Sequence, residues 1–231
     1  MPTLFITGAN RGLGLEFTKQ YAAAGWRVLA CCRVPEEADE LQALANAAHG
    51  QVTLHTLDVA DLSAIDELAQ QLRGTPFDLI INNAGIYPDR NSGFGYIDYD
   101  AWMMAFIVNS MAPLKIIEAF ISNLDAGAGK TVATVSSKMG SLDDNTSGGC
   151  YLYRSTKAAV NMVMKSLSLD LASRGIRVVI LHPGWVQTDM GGPNALIDAE
   201  TSVAGMRQVL DQATADDSGR FISYDGTEIA W

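Results

Sequence analysis

The sequence has 231 residues, of which 48% are hydrophobic and 18% charged, a composition typical of a folded globular protein rather than a disordered chain. Its 16 basic and 26 acidic residues give a formal net charge of −10, which argues against nucleic acid as a partner. The apolar stretches are too interrupted for a membrane span of about 20 residues, and the three cysteines suit neither a disulfide framework nor a zinc site, so we expect a cytoplasmic protein with no membrane or metal partner.

Short β-rich apolar segments alternate with longer segments of helical period along the whole chain. The predicted strands are Thr3–Thr7, Arg27–Cys32, Val52–Leu57, Leu79–Asn82, Thr131–Ser136, Val178–Leu181 and Arg220–Ser223. The predicted helices are Leu13–Ala24, Glu36–Ala48, Leu62–Leu72, Trp102–Asn123, Leu152–Ser173 and a shorter one near Val203–Thr214. This alternation predicts an α/β fold with a doubly wound (Rossmann), mostly parallel seven-stranded sheet and helices on both faces. No repeat or linker divides the chain, so we expect a single domain.

A glycine-rich turn joins the first strand to the first helix. It contains Gly8, Asn10, Arg11, Gly12, Leu13 and Gly14. Glycines permit a tight turn and a close approach of a pyrophosphate to backbone N–H groups at the positive end of a helix. An ordinary strand-to-helix turn can use the same residues, but this position, after a strand and before a helix, favours a dinucleotide site.

The charges near that turn indicate which dinucleotide binds. An NAD site places a carboxylate at the end of the second strand, whereas NADP needs cations for its 2′-phosphate. Here Arg33 follows the second strand, and Arg11 lies within the glycine turn. Each arginine alone could be a solvated surface charge, but together they favour NADP(H) over NAD(H) as the cofactor.

Tyr153 and Lys157 are four residues apart on one predicted helix, so their side chains share a face. A nearby ammonium favours the ionised form of a phenol, whose ordinary pKa is about 10, and should lower that pKa toward neutrality. The pair follows a strand that ends in Ser136 and Ser137, at the sheet edge where this fold binds ligands. We therefore predict that Tyr153 is a proton donor.

Taken in order, these motifs resemble those of the short-chain dehydrogenase/reductase family over nearly the whole chain. The motifs are Thr7–Gly14, Asn82–Gly85, Ser137, Tyr153–Lys157 and Pro183–Thr188. Within the family the resemblance is strongest to small carbonyl reductases of the Sniffer and C-factor type, on the strength of Asn10–Gly14, Tyr153–Lys157 and Tyr224–Gly226.

The resemblance implies further cofactor contacts. They are Asp58 and Val59 at the adenine, Asn83, Ala84 and Gly85 after the fourth strand, Tyr153 and Lys157 themselves, and Pro183, Gly184, Val186 and Thr188 at the nicotinamide. It also implies that the backbone carbonyl of Asn109 holds a water molecule that contacts Lys157 and relays protons. Alternatively, Asn109 is a satisfied buried amide that kinks its helix ahead of Pro113.

Two serines compete for the role of polarising the substrate carbonyl. Ser137 lies 16 residues before Tyr153, and Ser141 lies 12 residues before it. The spacing usual in the family falls between these two values. We prefer Ser137 because Ser137–Gly140 matches the family's Ser-x-x-Gly, with Asp143–Gly149 as an inserted loop.

These observations predict an NADP(H)-dependent oxidoreductase that reduces small-molecule aldehydes or ketones, reversibly toward alcohols. The loops expected to contact substrate are Pro88–Tyr99, Met139–Gly149 and Met190–Ala199. A dinucleotide-binding regulatory or signalling protein with little or no turnover is the alternative. Because the family often pairs subunits through its long helices, a homodimer is also expected.

Overall fold

The computed structural model describes all 231 residues and contains one sheet of seven strands. The strands are β1 (Thr3–Thr7), β2 (Arg27–Cys32), β3 (Val52–Thr56), β4 (Leu79–Asn82), β5 (Thr131–Val135), β6 (Arg177–His182) and β7 (Phe221–Ser223). Their order is β3-β2-β1-β4-β5-β6-β7, and every neighbouring pair is parallel. The predicted doubly wound fold is confirmed, and the sheet is entirely rather than mostly parallel.

Seven α-helices connect the strands. They are α1 (Gly12–Ala23), α2 (Asp39–Ala47), α3 (Leu62–Gln71), α4 (Tyr99–Phe106), α5 (Ala112–Ala126), α6 (Tyr151–Asp170) and α7 (Ala199–Gln212). A π-helical turn, Ile107–Met111, joins α4 to α5.

The core consists of two apolar clusters. Adjacent residues of a strand point to opposite faces, and Cys31 and Cys32 illustrate this rule because each belongs to a different cluster. The two thiols therefore face away from each other, and both are free. Since each face of a wholly parallel sheet must be covered, the strands are apolar almost continuously, as in β1, where all five residues are buried.

The chain reverses its winding direction between β1 and β4, which are neighbours although two strands and their helices separate them in sequence. In such sheets the loops diverge at this point and leave a crevice beyond the carboxyl ends of the strands. The glycine turn follows β1 and Asn83–Gly85 follows β4, so both predicted motifs border the crevice.

Several predicted boundaries need correction. Strand ends differ by at most one residue from prediction, whereas the second helix is shorter, since a 3₁₀ turn over Pro35–Glu37 precedes α2. The last helix begins at Ala199 rather than near Val203, because the side chain of Asp198 caps it by accepting the N–H of Thr201 at 2.7 Å.

The long helix predicted over Trp102–Asn123 extends from Tyr99 to Ala126 and is interrupted. Pro113 has no N–H, so the carbonyl of Asn109, four residues earlier, has no α-helical partner. The π turn Ile107–Met111 lies at this position, as expected where the regular hydrogen-bond ladder fails.

This interrupted helix is also long and apolar enough, by length and composition, to cross a membrane. The sequence-based expectation that no segment meets this criterion is wrong for Tyr99–Ala126. Half of its most apolar stretch is buried within the fold, as in the core helix of a sheet protein.

Candidate active site

The glycine turn is braced by the segment that follows β4. The side-chain amide of Asn83 donates to the carbonyls of Thr7 and Gly8 at 2.9 and 3.1 Å. In return, the hydroxyl of Thr7 accepts the backbone N–H groups of Asn83 and Ala84 at 3.2 and 3.1 Å. Two of the predicted cofactor motifs are thus held together by four hydrogen bonds.

The shape of this turn fits a dinucleotide. Gly8 and Gly12 have positive φ angles of 66° and 54°, which favour glycine. A Cβ atom on Gly14 would collide with the carbonyl oxygen of Gly8, and one on Gly12 would lie 3.4 Å from the methyl group of Thr188. Glycine at position 14 therefore lets α1 pack closely against the end of β1, and glycine at position 12 keeps the space beside Thr188 open.

The N-terminus of α1 also fits an anion. Arg11, which precedes the helix, makes no side-chain capping bond, and the first turn holds no acidic residue. By contrast, Asp61, Asp98 and Asp198 cap α3, α4 and α7. The first N–H groups of α1 therefore have no side-chain acceptor and are suited to phosphate oxygens.

Both predicted phosphate-binding arginines lie exposed at the carboxyl edge of the sheet. Arg33 follows β2, and the exposed Asp58 follows the adjacent strand, β3. Arg11 forms an ion pair with Asp189, whose backbone carbonyl also accepts a hydrogen bond from Arg90 at 2.9 Å. Because both side chains of this ion pair are exposed, replacing Asp189 by another anion as the partner of Arg11 should cost little free energy.

Tyr153, Lys157 and Ser137 come together at the end of β5. Tyr153 and Lys157 both project from α6, with the Lys157 ammonium 5.6 Å from the centroid of the Tyr153 ring. That ammonium donates to the carbonyl of Val135 at 2.9 Å, and the Ser137 hydroxyl lies close enough to the Tyr153 phenol to favour its ionised form. The three side chains that sequence patterns selected are therefore neighbours.

The pKa of Tyr153 differs from the sequence-based expectation. Burial raises the pKa of this phenol to about 12, against the smaller opposing effect of the Ser137 hydroxyl. Burial also lowers the pKa of Lys157 to about 8. The expectation that Lys157 would lower the phenol's pKa is thus wrong, because desolvation outweighs any attraction from an ammonium that is itself buried.

The two candidate serines differ in their relation to Tyr153. The Ser141 hydroxyl accepts the N–H of Asp144 at 3.1 Å and the Ser137 hydroxyl accepts that of Met139 at 3.2 Å, but of the two serines Ser137 alone affects the pKa of Tyr153. Gly140 explains the Ser-x-x-Gly spacing, since a Cβ there would lie 2.7 Å from the carbonyl carbon of Lys157. The loop after β5 can approach α6 this closely only with glycine at that position.

Asn109 lies in the π turn and its side chain is fully bonded. Its amide oxygen accepts the N–H of Ile86 at 2.9 Å, and its amide nitrogen donates to the Ile86 carbonyl at 3.0 Å and to the Thr156 hydroxyl at 3.1 Å. The side chain therefore matches the alternative of a satisfied buried amide. The family resemblance implies that a water molecule binds the backbone carbonyl of Asn109. This carbonyl lacks an α-helical donor because Pro113 has no N–H.

The predicted nicotinamide segment follows β6. Gly184 has a φ of 81°, and a Cβ there would lie 2.9 Å from the ring of Tyr224. Val186 is buried, and Thr188 faces the glycine turn across the crevice. Pro183 accepts a hydrogen bond from the Ser202 hydroxyl through its carbonyl. No group of three or more His, Cys, Asp or Glu side chains is arranged to hold a metal ion.

Sequence reasoning missed two residues beside Tyr153. The ring of Tyr87 lies 4.9 Å from that of Tyr153, centroid to centroid, and the carboxylate of Asp89 accepts the backbone N–H groups of Leu152 and Tyr153. One signal could have suggested such a contact: Cys150, immediately before the helix, is not a capping residue type.

A glycine turn shaped for a dinucleotide, beside a tyrosine and a lysine one helical turn apart, defines a nucleotide-dependent oxidoreductase. A family model described as short chain dehydrogenase matches residues 2–196. The chain belongs to the short-chain dehydrogenase/reductase family, as its motifs predicted.

Individual relatives agree with the predicted subgroup. The chain is 48% identical to the C-signal of Myxococcus xanthus over 160 residues, covering 68% of this chain and 93% of that protein. The carbonyl reductase Sniffer of D. melanogaster superposes with a TM-score of 0.92 at 33% identity over 100% of both chains. The NADPH-bound carbonyl reductase from chicken fatty liver gives a TM-score of 0.92 at 34% identity, covering 100% of this chain and 99% of that one.

Proposed function

We propose that this protein is an NADP(H)-dependent carbonyl reductase that converts aldehydes or ketones to alcohols, reversibly. One observation carries the proposal: Tyr153, Ser137 and Lys157 converge where β5 ends. The crevice beside them is bordered by a glycine turn that Asn83 holds in place. A proton donor and a dinucleotide site thus adjoin one another.

The cofactor is NADP(H) rather than NAD(H). Arg11 and Arg33 supply positive charge for a 2′-phosphate, in a protein whose net charge is −10. The chicken carbonyl reductase of closely similar fold is NADPH-bound, which supports this choice. Bound NADPH supplies a hydride.

Ser137 and Tyr153 act on the carbonyl oxygen of the substrate. The hydroxyl of Ser137 donates a hydrogen bond to that oxygen, which gains negative charge as the C–H bond forms at the adjacent carbon. Tyr153 then gives its proton to the same oxygen, so one C–H and one O–H bond replace the C=O π bond. A pKa of about 12 keeps the Tyr153 phenol protonated at neutral pH, which is the form that reduction requires.

Lys157 and Asn109 serve the return of that proton. The Lys157 ammonium lies close enough to Gly85 that a Cβ on this glycine would be 3.7 Å from Nζ and 3.3 Å from the Asn109 amide oxygen. The three residues therefore form one side of the site. We assign to Lys157 the ribose of the cofactor and, with a water on the Asn109 carbonyl, the proton path from solvent to Tyr153.

The direct test measures NADPH oxidation, by its absorbance, over a broad panel of aldehydes and ketones. Turnover that requires NADPH, together with stabilisation of the protein against heat by NADPH, is expected. The absence of both would contradict the proposal. NADH serves as the control cofactor and should support less turnover at equal concentration.

A regulatory or signalling role is the second candidate, and the relative named C-signal favours it. A dinucleotide-binding regulator would bind NADPH without consuming substrate, and a partner protein would associate with it in a cofactor-dependent way. Binding without turnover over the same carbonyl panel would therefore select this candidate.

We further propose a cytoplasmic, single-domain homodimer whose partners are small molecules rather than nucleic acid or membranes. Exposed apolar side chains on α4, the π turn and α6 support pairing through the long helices. They are Met103, Met104, Met111, Met162 and Leu169. Sedimentation of the purified protein at the mass of two chains is expected, and sedimentation at the mass of one chain would contradict the dimer.

A further inference from the structure

The carboxylate of Asp89 lies at the N-terminus of α6. One oxygen accepts the N–H of Leu152 at 3.1 Å, and the other accepts the N–H of Tyr153 at 2.6 Å. Asp89 is 8% exposed and follows β4, more than 60 residues before its two partners. A residue from a different loop therefore caps the helix that carries Tyr153.

The local sequence explains why the cap comes from elsewhere. Cys150, just before α6, has a φ of 46° and makes no side-chain capping bond, and two glycines precede it. The first N–H groups of a helix need an acceptor, and a carboxylate there is also favoured by the helix dipole. Bonds between a carboxylate and backbone N–H groups are among the stronger hydrogen bonds in proteins, so Asp89 fixes this helix end firmly.

The same segment also contacts the side chain of Tyr153. The Tyr87 ring lies 4.9 Å from the Tyr153 ring at an interplanar angle of 60°, and the Tyr87 hydroxyl is 3.1 Å from the Cys150 sulfur. Asp89 thus holds the backbone from which the phenol projects, while Tyr87, two residues earlier, packs against the phenol itself. Both contacts depend on the position of one short segment.

We propose that Asp89 is a positioning residue for Tyr153, an inference that rests on the proposed role of Tyr153 as proton donor. Its two hydrogen bonds set the start of α6 so that the phenol lies beside Ser137. A displacement of a reacting group by about 1 Å can lower a rate by about 10²-fold. Loss of the Asp89 carboxylate should therefore reduce turnover, although both of its oxygens bind backbone N–H groups and not the reacting side chains.

The test compares Asp89→Asn with Asp78→Asn. Asp78 immediately precedes β4, at the opposite edge of the sheet, and its carboxylate accepts the N–H groups of Thr3, Ala128 and Gly129 at 2.7, 2.9 and 2.9 Å. Both variants lose a carboxylate bound to backbone N–H groups, so both should melt at a lower temperature. Only Asp89→Asn should lower kcat, by about tenfold to a hundredfold, with the KM for NADPH unchanged.

A second readout does not require turnover. In protein labelled with ¹³C at the tyrosine ring, the Tyr153 resonance is assigned by its loss in Tyr153→Phe. Asp89→Asn should shift this resonance, and Asp78→Asn should not. If the wild-type protein reduces no carbonyl compound, the proposed function fails while the shift still tests the position of Tyr153.

Either of two results would overturn the inference. One is a kcat for Asp89→Asn within about twofold of wild type. The other is a Tyr153 resonance that is unchanged by Asp89→Asn. Should Asp89→Asn not fold, Asp89→Ser, whose hydroxyl can accept one of the two bonds, replaces it in both measurements.

Discussion

The ammonium of Lys157 donates a hydrogen bond to the backbone carbonyl of Val135, the last residue of β5, at 2.9 Å. This bond fixes the cation beneath the site, where burial lowers its pKa to about 8. A lysine with this pKa changes its charge within the range in which enzymes are assayed.

The first prediction concerns the rate of reduction as a function of pH. Lys157 is charged below a pH of about 8 and loses its charge above it. Because the proposed ribose contact and proton path need the ammonium, kcat for carbonyl reduction should fall as the pH rises through about 8. A pH profile of kcat at saturating NADPH measures this, and a kcat that stays flat from pH 7 to about 10 would contradict it.

The second prediction concerns how the lowered pKa of Lys157 changes the free energy of unfolding with pH. The pKa of Lys157 is about 8 in the folded state and about 10.4 in the unfolded chain, so in this interval the unfolded state binds more protons. The contribution of Lys157 to the free energy of unfolding therefore rises with pH across the interval. Because burial raises the pKa of Cys31 and gives a contribution of opposite sign, the test is a difference between proteins. In urea unfolding at several pH values, the free energy of unfolding of wild type minus that of Lys157→Met should rise with pH, whereas wild type minus Lys165→Met should stay flat.

The third prediction is that Tyr153→Phe lowers kcat by about 10²- to 10⁴-fold, because the phenyl ring has no proton to give. The affinity for NADPH, measured by tryptophan fluorescence, should change little. Tyr151→Phe, on an exposed residue two positions earlier in α6, is the matched control and should keep wild-type activity. Comparable turnover by Tyr153→Phe and Tyr151→Phe would remove Tyr153 from the mechanism.

The fourth prediction distinguishes the two serines. Ser137→Ala removes the donor to the substrate oxygen and should lower kcat by about 10²- to 10³-fold. Ser141→Ala breaks only the bond from the Asp144 N–H, so it should lower the melting temperature with little effect on kcat. Steady-state kinetics and thermal melts of both variants decide the assignment, and the opposite pattern would reassign the role to Ser141.

The fifth prediction concerns cofactor choice. Arg33→Ser removes a charged donor to the 2′-phosphate and should weaken NADPH binding by about 10- to 100-fold, since hydrogen bonds to charged groups are worth about 1.5–3 kcal/mol. NADH, which lacks that phosphate, should bind as before. Arg73→Ser, on another exposed arginine, is the control. Equal losses for both cofactors in a titration calorimeter would exclude a role for Arg33 in discrimination.

Local patterns were sufficient to predict the strands and the cofactor turn. The strand Thr3–Thr7 has an apolar centre, Leu4–Ile6, and its end was predicted because Gly8 follows it directly. The pairing of Tyr153 with Lys157 depends only on helical periodicity, so sequence spacing revealed it. Both features are properties of short segments.

Features that depend on distant residues could not be predicted in the same way. Asp89 caps a helix from another loop, and no local pattern records that contact. The pKa of Tyr153 depends on how completely the fold buries it, so spacing to Lys157 predicted the wrong direction. The π turn at Ile107–Met111 was also not predicted, although Pro113 indicated that the hydrogen-bond pattern of that helix is interrupted.

That π turn has a consequence for changes in chain length. It accommodates one residue more than a regular helix would, and each residue of an α-helix advances the side chains by about 100°. Because the wider turn absorbs the rotation of that extra residue, Ala112–Ala126 keeps its buried face, including Phe120, directed toward the sheet. Inserting one further residue within Ile107–Met111 would rotate Ala112–Ala126 relative to α4 and turn Phe120 away from the sheet.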